Sequence, residues 1–244
     1  MLDALLLGAG KDGDDLCLNF RRVLGNPRSN VICYLPWKTP FELAQKLGLV
    51  PREFLACYEM PYAIVSSEPQ LCKVAMQRLV GDAMHLTSKM GHQKPLTVVG
   101  LSMGSAPATV LANMLGARLY SMASADHGPR MLWESPASAG IRERATSKGY
   151  TLESFTETMA GTNPIENLTN IDKRSVFIFG NSDLYVPEAR RHALHDALQE
   201  HYPHIERRVL NRGHVLTMVE GMRALSRAGN GELHNIPEAR RAAG

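Results

Sequence analysis

"LTVVGLSMGSAPATV", residues 96–110, decides how this chain is built. Leu96–Val99 is an apolar, β-branched run, Gly100 and Gly104 bracket Ser102, and small residues then lead into an apolar stretch that runs to about Gly116. The pattern is a buried strand, a hard turn and a helix. Gly-x-Ser-x-Gly in that setting is the nucleophile-elbow motif. A side chain at either glycine collides with the neighbouring strand or helix where the bend is sharpest, and the serine carries a strained backbone. A plain tight turn with the same residues is the competing reading, so the flanking sequence has to decide.

Outward from this seam, short β-rich runs alternate with helical patterns. Before it, Leu71, Ala75, Leu79, Ala83, Leu86 and Met90 recur every three or four positions, predicting one long amphipathic helix that ends near Gly91. Asp3–Gly10 ("DALLLGAG") and Asn30–Trp37 ("NVICYLPW") are strand candidates, with a helix between them in "DDLCLNFRRVLG". Thr39–Pro69 is irregular, with a short helix at Phe41–Leu47. After the seam come strands at Ala117–Ala125, Ser175–Gly180 and Ile205–Leu210, with the helix "PEARRHALHDALQE" between the last two. Six strands alternating with helices predict a mainly parallel sheet, because parallel neighbours need long crossovers. Right-handed crossovers place helices on both faces and ligands beyond the carboxyl ends of the strands.

Candidate chemistry falls at those strand ends. Ser102 follows the third strand, Asp183 follows the fifth in "GNSDLYVP", and His214 follows the sixth in "NRGHVLTM". A serine hydroxyl is a poor nucleophile until a base takes its proton, and the base needs a carboxylate to fix its tautomer. Asp126, just after the fourth strand in "MASADHG", is the alternative acid, and His127 beside it is read as a solvated loop residue.

"GLSMG", "FIFGNSDLYVP" and "NRGH" resemble the α/β-hydrolase family, and the likeness covers most of the chain. It implies a three-layer α/β fold with a six-stranded sheet, in which residues 3–10 and 30–37 stand for the family's third and fourth strands and its first two, usually antiparallel, strands are lacking. It implies a catalytic triad of Ser102, Asp183 and His214, with the amide of Met103 as one oxyanion donor. The second donor is assigned to Gly10, with Ala9 and Lys11 as alternatives, because "GAGK" stands where many members carry His-Gly. Residues 126–163 would form a small helical cap with Trp133 and Phe155 facing inward; Met218, Met103, Met131 and Met159 are either pocket lining or core filler. The implied reaction is hydrolysis of a modest carboxylic ester or thioester, with lactone and carbon–carbon bond cleavage as variants and a non-catalytic scaffold as the competing class.

Composition agrees with a globular domain. The chain has 244 residues, 44% hydrophobic and 21% charged, so one domain over 1–230 with a tail at 231–244 is the default. A net charge of +3 with scattered arginines gives no face for nucleic acid. No apolar run approaches the ~18 residues of a membrane span, and the acidic, unbasic start argues against a secretory signal. The four cysteines, at 17, 33, 57 and 72, are too dispersed for a metal or disulfide framework and suggest a reducing, cytoplasmic setting. His192 and His195 share a helix face without the His-Glu-x-x-His pattern, and "GAGKDG" lacks phosphate-loop spacing, so neither metal nor cofactor is expected. The lacking strands would leave a sheet edge open to a homodimer partner.

Overall fold

The computed structural model describes residues 17–90 and 95–228. Its sheet has seven strands: β1 (Arg22–Leu24), β2 (Val31–Tyr34), β3 (Ala56–Tyr58), β4 (Thr97–Leu101), β5 (Arg118–Met122), β6 (Val176–Gly180) and β7 (Glu206–Leu210). Their order across the sheet is β1-β3-β2-β4-β5-β6-β7, and all pairings are parallel except that of β1 with β3. Eight α-helices accompany them: α1 (Phe41–Lys46), α2 (Pro69–Met90), α3 (Ser105–Leu115), α4 (Gly128–Glu134), α5 (Ala139–Ser147), α6 (Leu152–Thr158), α7 (Glu188–His201) and α8 (His214–Ala228).

Alternation along each strand divides the core in two. Ile32, Tyr34, Val98, Leu119, Phe177 and Phe179 face a cluster with α2 and α3, whereas Cys33, Val99, Leu101, Met122 and Ile178 face one with α8. Burial on both faces is what a central parallel strand requires, and it explains the unbroken apolar run of β4. Each such side chain contributes roughly 1.5–3 kcal/mol. Helix α3 is small-residued on the side that meets β4 and stops at Gly116, whose φ of +61° supplies the left-handed cap.

Two expectations about the sheet need correction. Residues 22–24, predicted helical, form β1, and residues 56–58, predicted irregular, form β3. Both are three-residue strands held by distant partners: the Tyr58 hydroxyl donates to Asp82 on α2 at 2.8 Å, and Arg22 pairs with the same carboxylate at 2.7 Å. The count among the described residues is seven, where six were expected of the whole chain, and one antiparallel strand is present where none was expected. The strand predicted at Asp3–Gly10 and the tail at 231–244 lie outside the described residues.

Candidate active site

Ser102 emerges from β4 with φ +53°, a left-handed conformation that costs a non-glycine residue of order 1–3 kcal/mol. The glycines beside it are required by space. A Cβ on Gly104 would lie 2.4 Å from the Tyr34 carbonyl oxygen, and one on Gly100 would lie 2.5 Å from the Ser105 Cα. The elbow is thus wedged between β2 and the start of α3.

The His214 ring, on the first residue of α8, reaches back to Ser102. Its Nε2 is 2.8 Å from Ser102 Oγ, and its Nδ1 is 2.7 Å from Asp183 Oδ2. With Asp183 accepting the Nδ1 proton, Nε2 is left as an acceptor for the serine hydroxyl. The other carboxylate oxygen of Asp183 accepts from the amides of Tyr185 and Val186 at 2.9 and 3.0 Å. Both Asp183 and His214 are buried, so the relay is shielded from bulk water. Tyr185 packs edge-on against the imidazole, with ring centroids 5.3 Å apart.

Arg191, buried on α7, fixes the carboxylate's loop. Its guanidinium donates to the carbonyls of Asp183, Val186 and Asn181 at 2.6, 2.7 and 3.2 Å. Nothing in "PEARRH" distinguishes this arginine from Arg190 beside it, so the sequence reading misses it.

Gly10 and its alternatives Ala9 and Lys11 lie outside the described residues. Because β2 pairs directly with β4, the segment after β2 is the one beside Ser102. Within it the Leu35 amide is spent on the Tyr58 carbonyl at 3.0 Å, and Pro36 has no N–H. The Trp37 amide is next along the chain, and Trp37 and Met103 both line the cavity at Ser102. A backbone N–H leaves no side-chain signature; the strand order is what brings this segment beside Ser102.

That cavity holds about 1070 Å³, counting its open mouth. Phe155 and Met218 line it, as do Met103, Met131 and Met159. Trp133 does not: its ring packs against that of Phe155 at a tilt of 60°, with centroids 4.8 Å apart, and supports that wall instead. Asp126 is not joined to His214 either. It pairs with Arg190 at 3.0 Å, and burial raises its pKa against the opposing pull of that arginine. His127 caps α4 from a half-buried position, not from open solvent, and burial lowers its pKa. His192 and His195 lie beside Glu188 and Asp196, and no cluster of three or more metal-ligating side chains occurs among the described residues. No helix among them is long and apolar enough to cross a membrane. The four cysteines are free thiols.

The chain is similar in structure to several solved proteins. An esterase of Pyrococcus furiosus matches with a TM-score of 0.53 at 16% identity, over 91% of this chain and 93% of that one. A lipase-esterase related protein from Clostridium acetobutylicum matches at 0.51 and 14%, over 85% and 97%. Acyl-protein thioesterase 2 of Zea mays matches at 0.50 and 15%, over 86% and 98%. No protein-family model and no curated protein matches the sequence. The fold these likenesses share with the chain is that of the α/β hydrolases.

Proposed function

We propose that this α/β-hydrolase-fold protein is a serine hydrolase that cleaves a carboxylic ester or thioester through an acyl-enzyme. The observation that carries the reading is the continuous relay from Ser102 through His214 to Asp183, at 2.8 and 2.7 Å. His214 Nε2 takes the hydroxyl proton as Ser102 Oγ bonds to the substrate carbonyl carbon, and Asp183 stabilises the imidazolium. The carbonyl oxygen, now anionic, accepts hydrogen bonds from the amides of Met103 and Trp37. Collapse expels the alcohol or thiol, which receives its proton from His214. Water then gives a proton to the same nitrogen, attacks the acyl-enzyme, and frees the carboxylic acid and Ser102. Helices α4–α6 act as the cap that excludes bulk water from these steps. The partner is a small molecule, and no cofactor enters the chemistry.

A fluorophosphonate probe tests this directly. Wild-type protein is expected to be labelled at Ser102 and to hydrolyse short p-nitrophenyl esters, while His214→Ala loses both. A folded protein inert to the probe and to the esters overturns the proposal.

A further inference from the structure

The cavity specifies more than the reaction. No charged side chain among the described residues lines it, and three of its hydroxyls are turned to the backbone: Ser135 donates to the Tyr185 carbonyl at 2.7 Å, Ser138 to that of Leu132 at 2.9 Å and Thr162 to that of Met159 at 2.6 Å. Trp37 and Asn163, whose Nε1 and Nδ2 are buried without a partner, also belong to the lining, but most of what the chamber offers a ligand beyond the serine and histidine is hydrocarbon, thioether and aromatic surface. A second hollow touching Ser102, walled by Ala106, Ala123, Ala125 and Gly128, holds about 350 Å³ and is far smaller.

The two walls of the chamber belong to different sides of the sheet. Val215 and Met218, which follow His214, are part of the core on the α8 face. Ile64, Val65, Cys72, Met76, Phe155 and Met159 belong to the core on the α2 face, against which Trp37 and Met103 also pack. A leaving group must stay within reach of His214 to receive its proton, so the acyl chain extends away from that ring. The wall there is the one built by α2 and the cap helix α6.

From this, and resting on the serine-hydrolase reading above, we propose that the acyl part of the substrate is an uncharged chain of medium length, seated between α2 and α6, with Met76 as the residue that sets its limit. Methionine is unbranched and adaptable, and Met76, Met103, Met131, Met159 and Met218 together give walls that conform to a flexible chain. A chain running from Ser102 along this apolar wall toward Met76 gains from each methylene that it buries there.

The test is a ladder of p-nitrophenyl esters from acetate to decanoate. Each methylene moved from water into the chamber raises kcat/KM about fourfold, up to about octanoate. Met76→Trp is expected to lower the octanoate-to-acetate ratio of kcat/KM at least tenfold; Met159→Trp, at the end of the facing cap helix, serves if the first variant does not fold. The Ser102→Ala protein, titrated calorimetrically with acetate and octanoate esters, separates the chamber from the chemistry, because tighter octanoate binding does not require turnover. A flat or falling ladder in an active wild type, or equal affinity of Ser102→Ala for the two esters, overturns the proposal. Loss of all hydrolysis and labelling in wild type with octanoate still preferred by Ser102→Ala upholds the chamber and overturns the hydrolase reading alone.

Discussion

Ser102 is held at φ +53° by its neighbours, and each partner it needs is likewise fixed by something other than its own side chain. Asp183 is oriented by two amides, so Asp183→Asn keeps the shape but offers Nδ2–H where an acceptor is needed. A fall in kcat on the order of 10⁴ is expected from stopped-flow or steady-state assays with the tautomer wrong. Trp37 separates a backbone role from a side-chain one. Trp37→Pro deletes the amide and is expected to lower kcat by about 10² to 10³, whereas Trp37→Phe keeps the amide and most of the rate. Equal losses in the two variants would move the oxyanion donor elsewhere. The three side chains of the relay are legible in the sequence because each follows a recognisable strand end. Trp37 and Arg191 are not, since the role proposed for one rests on its N–H and the other binds carbonyls that only the folded loop presents.

At the level of elements, the long apolar strands and the helices that follow them read correctly from periodicity, while β1 and β3 do not. Three residues are shorter than any window in which alternation can be told from helical spacing, and Leu24 meets Ala56 only through a distant part of the chain. The sequence reading of β1 and β3 also hides which strands flank β2, the strand that lies next to β4. The elbow tests the packing of these elements. Gly104→Ala puts a methyl 2.4 Å from the Tyr34 carbonyl and forces β2 from α3, with an expected loss of about 1–3 kcal/mol in urea unfolding. Arg191→Leu strips donors from three carbonyls in the loop after β6; a lower denaturation midpoint should be accompanied by reduced kcat, since the loop orients the acid.

For the molecule as a whole, acid stability depends partly on His127. Burial holds its imidazole pKa below the usual value, helped by Arg130 and Arg190 and opposed by Glu166 and Glu134. The unfolded chain therefore binds more protons between the lowered value and about 6.5, and stability rises with pH across that window. Melting temperature is expected to fall as pH drops below about 6.5, and His127→Gln to make the fall shallower; an unchanged slope in the variant would remove His127 from the account. The sheet edges bear on assembly. We propose pairing of two copies along an exposed edge, which gel filtration tests, with elution at the mass of a single chain as the contrary result.

The relay from Ser102 to His214 spans 112 positions, and its last member opens the final described helix. On the proposed function, a growing polypeptide emerging from the ribosome is consequently chemically silent until α8 has been synthesised and has docked. Onset of probe labelling then serves as a clock for the completion of folding, and a partly made chain is unable to attack the acyl compounds around it.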